Sequence, residues 1–108
     1  KETGIQDLDI VYYFLEPLLP RYEAQGLKEF GITYIIDPAG FVFEVTFDFY
    51  GFEGKLNITE EDMAVWRRIS DEIKKREMYT IPPQVQRLKF YRMCRFVVID
   101  QLKEMFCP

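Results

Sequence analysis

Residues 32–50 read Ile-Thr-Tyr-Ile-Ile-Asp-Pro-Ala-Gly-Phe-Val-Phe-Glu-Val-Thr-Phe-Asp-Phe-Tyr, and this stretch decides the fold. Phe41, Phe43, Val45, Phe47 and Phe49 alternate with Val42, Glu44, Thr46, Asp48 and Tyr50. Successive strand residues point to opposite faces, so the pattern predicts a strand with an apolar inner face and a mostly polar outer one. Asp37-Pro38-Ala39-Gly40 in front of it suits a type I turn: Pro presets φ at the second position and Gly tolerates positive φ at the fourth. Residues 32–36 and 41–50 are therefore predicted to pair as a hairpin. Lys55-Leu56-Asn57-Ile58 alternates as well and predicts a short third strand, which would make the sheet a meander.

Helices are needed to cover the apolar side of such a sheet. Thr3 is a candidate N-cap with Gln6 three residues on, and Ile5, Leu8, Tyr12, Leu15, Leu19 and Tyr22 recur at helical spacing. Pro17 and Pro20 predict a kink or restart, with Gly31 as the stop. Thr59-Glu60-Glu61-Asp62 marks a second helix start, a cap followed by three acids where the helix dipole favours negative charge. Met63, Trp66, Ile69 and Ile73 form its buried stripe, and Pro82-Pro83 follow it. In Gln84–Phe106 two apolar sectors flank a polar strip, which predicts a last helix packed on two sides. The β-branched run within 95–99 leaves a strand as the alternative. The predicted fold is α+β: an N-terminal kinked helix, a three-stranded antiparallel meander and two C-terminal helices packed on the sheet. Phe43, Val45, Phe47, Trp66, Ile69 and Leu88 are predicted to lie in its core.

At 108 residues the chain is the length of one domain. It is 48% apolar, with ten Phe and seven Tyr, enough to close a core without staples. No apolar run approaches the ~20 residues of a membrane span. If 94–107 were one helix, Cys94 and Cys107 would lie ~20 Å apart, too far for a disulfide. Two free thiols point to a reducing, cytoplasmic compartment. Asn57-Ile58-Thr59 matches a glycosylation acceptor, although Thr59 already has a capping role.

The chemistry is defined largely by what is missing. The chain has no histidine, which removes the commonest general base and metal ligand. Its one serine, Ser70, lies in a predicted helix with no base beside it. The cysteines have no metal-ligand spacing, and there is no phosphate-binding glycine motif. Glu44 and Asp48 share a strand face, but ~13–14 Å separates them at the rise of a strand. That is too far for a glycosidase-type pair. No catalytic residue, metal or cofactor is expected, and the chain is not expected to be an enzyme. Arg87, Lys89, Arg92 and Arg95 lie among aromatics. On a helix they would point in divergent directions, and the net charge is −4, so nucleic acid is not the expected partner.

Charge is unevenly spread: residues 1–62 carry net −9 and residues 63–108 net +5. Either the two halves compensate each other across the fold, or an acidic face is offered to a basic partner. The second reading makes the chain a small protein-binding or inhibitory module, such as an immunity or antitoxin protein that blocks a basic toxin. Its contact residues would be Glu44, Thr46, Asp48, Tyr50 and Glu53 on the outer strand face. A small-ligand binder or carboxylate enzyme with a pocket between sheet and helices is the alternative. A fragment of a larger assembly, which Lys1 in place of Met permits, is a third.

Overall fold

Two prolines shape the N-terminal third in the computed structural model, which describes residues 3–52, 54–76 and 89–106. Helix α1 covers Thr3–Leu15, a 3-10 turn covers Glu16–Leu18 and helix α2 covers Leu19–Ala24. Pro17 and Pro20 each sit in the first turn of a new element, where a missing N–H costs nothing. The kink is thus where the prolines put it. The helix stops earlier than predicted. Gly26, at φ +100°, closes it, with Gly26 N donating to Glu23 O and Leu27 N to Tyr22 O. Gly31 lies inside a strand instead.

Strand β1 covers Glu29–Ile36 and strand β2 covers Val42–Asp48, paired antiparallel with Gly31 opposite Asp48 and Ile35 opposite Glu44. The turn between them is the predicted one. Gly40 N donates to Asp37 O at 2.9 Å, and the Asp37 carboxylate accepts from Ala39 N and Phe41 N.

The third strand comes from elsewhere than 55–58. Gly51 and Gly54 adopt positive φ and carry the chain away from the sheet. The backbone of Asn57 is then bonded by side chains of α2 and its C-cap: its carbonyl accepts from Arg21 Nη1 and its N–H donates to Gln25 Oε1. It is not part of a sheet ladder. The third strand, β3, is Tyr91–Val98, antiparallel to β1 on the other side, so the order is β2-β1-β3 and the sheet is not a meander. The last helix, α4, is only Ile99–Phe106. The β-branched and aromatic run that left a strand as the alternative is a strand, and its residues alternate between the two faces of the sheet with period 2 rather than falling into helical sectors. The α+β architecture of kinked helix, three-stranded antiparallel sheet and two later helices stands. Pro82, Pro83, Val85, Arg87 and Leu88 lie outside the described residues.

Helix α3, Glu60–Arg76, supplies the centre of the core. Trp66 packs against Phe30 of β1, Phe47 of β2, Phe49 and Tyr22. Ile69 and Ile73 continue its stripe and are fully buried. Met63 is exposed, and the buried residue of the first turn is Asp62. In β1, Phe30, Ile32, Tyr34 and Ile36 face the helices and are fully buried.

One irregularity changes what β2 shows to solvent. Ile35 pairs with Glu44 but Ile36 pairs with Val42, so Phe43 is an extra residue, a β-bulge. The bulge reverses the alternation. Val45 is buried and Phe47 and Phe49 are half-buried on the helix side, as predicted, but on the turn side of the bulge Val42 is buried while Phe41 and Phe43 are exposed. The expectation that Phe43 is a core residue is therefore overturned.

Candidate functional site

The outer face of the sheet is built from alternate residues of three strands. β1 contributes Gly31, Thr33 and Ile35. β2 contributes Glu44, Thr46 and Asp48, and β3 contributes Arg92, Cys94 and Phe96 in the matching rows. The described helices pack on the opposite side, where Trp66 meets the strands.

An aromatic pair marks each end of this face. At one end Tyr50 and Phe96 meet over Gly31, with ring centroids 5.8 Å apart. Only a glycine fits beneath them, since a β-carbon at 31 would lie 2.6 Å from the Tyr50 hydroxyl oxygen. At the other end the bulged Phe43 meets Phe90 edge-on at 6.2 Å. Phe43, Tyr50, Phe90 and Phe96 are 49%, 48%, 53% and 56% exposed, so these rings are surface, not core. Between the two pairs lies a shallow polar floor. Thr33 Oγ1 is 3.5 Å from Asp48 Oδ2 and 3.6 Å from the Cys94 sulfur. Cys94 is a free, exposed thiol on a strand, so a separation from Cys107 reckoned along one helix does not apply, and Cys107 lies outside the described residues.

Glu44, Thr46 and Asp48 are thus exposed on one face with Tyr50 at its end, the grouping that alternation in β2 predicts. Glu53 lies outside the described residues. The face also holds what a helical reading of the C-terminal segment hides. Arg92 sits in the same row as Glu44, across Ile35, and Phe90 and Phe96 close the ends. The alternation of Phe90, Arg92, Cys94 and Phe96 with Tyr91, Met93, Arg95 and Val97 is the signal that would have found them. The surface is consequently acidic along β2 but carries one cation, Arg92, on β3, so it is not acidic throughout.

A second polar cluster sits on the helix side. Asp62 is only 2% exposed. Arg21 Nη2 donates to both of its oxygens, at 2.6 and 2.7 Å, and the Tyr22 hydroxyl donates to it at 3.1 Å. Trp66 Nε1 in turn donates to the Tyr22 oxygen at 3.1 Å. Asp62 also closes a capping box: its N–H donates to Thr59 Oγ1, and Thr59 N–H donates back to its carboxylate. Burial alone would raise the Asp62 pKa, but the bonds from Arg21, Thr59 and Tyr22 outweigh it and hold the group below the ordinary carboxylate value. Burial is the main cause that pushes the Tyr22 phenol up to about 12. Every hydrogen-bonding direction of this carboxylate points at protein, so it clamps α2 to α3 and offers nothing to a substrate.

Cavities are small and lie at the helices and the end of β2. One of about 230 Å³ is lined by Tyr12, Glu16, Leu19, Pro20, Glu23 and Lys103, where Lys103 Nζ holds the Glu23 carboxylate at 3.0 Å. Another, of about 300 Å³, lies beside the end of β2 between Phe47, Asp48 and Ile58. Among the described residues no three His, Cys, Asp or Glu side chains cluster as a metal site would require. No described helix is long and apolar enough to cross a membrane.

No protein-family model matches the chain, and no curated protein matches it. Among solved structures it is similar to a DUF5043 family protein from Bacteroides uniformis ATCC 8492, with a TM-score of 0.55 and 22% identity. The match covers 71% of this chain and 45% of that one, so the likeness is one of fold and spans less than half of the other protein.

Proposed function

We propose that this chain is a protein-binding module that acts by occlusion, with the open sheet face as its contact surface. The observation that carries this reading is the face itself: exposed aromatic pairs at both ends, with Glu44, Thr46 and Asp48 exposed between them along one edge strand. Exposed aromatics grouped with polar side chains are typical of contact surfaces. Tyr50 and its neighbours would supply buried area, and Glu44 and Asp48 would steer and orient a basic partner. Arg92 adds a constraint, because a partner that is basic over β2 must not be basic over β3.

In its concrete form the proposal is an immunity- or antitoxin-type protein that covers a basic toxin in the cytoplasm. Occlusion requires only shape and charge, so no catalytic group, metal or cofactor enters it. The test is affinity capture from the native organism with the 108-residue chain as bait, then titration of the captured protein at two salt concentrations. A basic partner whose binding weakens with salt, mainly through a slower on-rate, supports the reading. An acidic partner, or binding indifferent to salt, overturns it.

A further inference from the structure

We propose that in the absence of a partner the chain pairs with a second copy of itself through this same outer face, as a weak, reversible two-fold dimer. The proposal goes beyond the function above, since any other partner would have to displace the second copy.

The argument is one of symmetry. Glu44 and Arg92 occupy one row of the sheet, on either side of Ile35. Their backbones are two strand spacings apart, roughly 10 Å. Both side chains are exposed, and neither has an ion-pair partner among the described residues. Two opposite charges placed symmetrically about the central strand cannot reach each other within one copy without lying flat over Ile35. A two-fold axis along β1 and parallel to the sheet lays one face on another. It exchanges β2 for β3 and keeps height along the strands. Glu44 of each copy then faces Arg92 of the other, and stacked sheets sit about 10 Å apart, a gap these two side chains can span. The same operation places each Tyr50 over the other copy's Phe96 and each Phe43 over the other copy's Phe90. Charges and rings therefore meet their complements in a single register, as an isologous interface demands.

Area sets the strength. A face three strands wide buries on the order of 1,000 Å² in a pair, at the low end for specific interfaces. The dimer is thus a species of high concentration, and salt weakens its paired charges at the rim.

Analytical ultracentrifugation of the full chain over a micromolar-to-millimolar range tests this. A concentration-dependent dimer that weakens with salt is expected. Glu44→Arg and Arg92→Glu should each weaken it by at least about tenfold, by setting like charges against each other. The combined E44R/R92E chain should recover to within about threefold of the parent, because the pair is restored with its sign reversed. Thr46→Arg, in the middle row of the face beside Thr33, should abolish the dimer. Far-UV circular dichroism shows whether each variant keeps its fold. A chain that stays monomeric throughout, single charge reversals without effect, or a double reversal as weak as the singles overturns the proposal. These readouts use the purified chain alone, so they stand apart from the capture experiment.

Discussion

The Tyr50 ring lies against the backbone of Gly31, so close that a β-carbon there would sit 2.6 Å from its hydroxyl oxygen. This contact joins the end of β2 to the central strand across the outer face. It holds Tyr50 beside Phe96 of β3, and it is the reason for a glycine in the middle of a strand whose helix-facing residues are Phe30, Ile32, Tyr34 and Ile36.

Gly31→Ala should therefore dislodge Tyr50 rather than distort β1, because the ring is half-exposed and can swing into solvent. The expected cost is about 1–3 kcal/mol of overpacking. In a Tyr50→Ala background the same substitution should cost far less. A double-mutant cycle read by urea unfolding measures the difference, and additive effects would mean that the two residues do not meet.

Two phenylalanines four residues apart in β2, Phe43 and Phe47, should behave differently. Phe47 lies 4.5 Å from Trp66, ring to ring, whereas Phe43 sits on the bulge and touches Phe90 on the surface. Phe47→Ala should cost about 2–4 kcal/mol, somewhat under the full-burial figure because the side chain is half-buried. Phe43→Ala should cost less than about 1 kcal/mol. Equal shifts in the denaturation midpoint would contradict the bulge.

The bulge also shows where reading the chain residue by residue runs out. Strict alternation in 41–50 identifies the strand and its two faces, and Asp37–Gly40 identifies the turn. Nothing in that alternation marks the one extra residue that flips Phe41 and Phe43 outward, because a bulge is set by pairing with β1. The same holds for 55–58, whose alternation is strand-like but whose backbone is taken by Arg21 and Gln25 from another element. Helix α3 was the most readable element, since Thr59 caps it and Trp66, Ile69 and Ile73 are buried. Asp62 was legible as a first-turn acid but not as a buried clamp, because its partners Arg21 and Tyr22 lie some forty residues away. Half of the outer face is legible in β2, and a helical reading of 84–106 hides the other half, on β3.

The Asp62 clamp predicts an acid-sensitive fold. Its folded pKa lies below the ordinary value, so the unfolded chain binds the extra proton. The stability it contributes is fully present above the unfolded carboxylate pKa of about 3.9 and is lost as pH falls through the folded value. Asp62→Asn should flatten the acid limb of a stability-versus-pH curve below about pH 4. Asp62→Ala should cost about 2–4 kcal/mol at neutral pH, through the lost cap and the buried Tyr22 hydroxyl left without its acceptor. An unchanged acid limb in the Asn variant would remove Asp62 as its source.

The functional proposal makes its sharpest claim at Asp48. This carboxylate is exposed on β2, next to Tyr50 and opposite Gly31, at the end of the face where Tyr50 and Phe96 meet. A basic partner that covers the face would place a cation here, beside rings that exclude water and strengthen the attraction. Asp48→Lys removes that attraction and adds a repulsion, so affinity for a captured partner should fall by more than about tenfold. Glu44→Lys should act in the same direction. Arg92→Glu should weaken binding where the partner is acidic over β3 and leave it unchanged where the partner is neutral there. Surface plasmon resonance at two salt concentrations separates the contributions: the reversals on β2 should slow association at low salt, and their effect should shrink as salt rises. Partner binding that survives both reversals on β2 would move the contact surface off this face altogether.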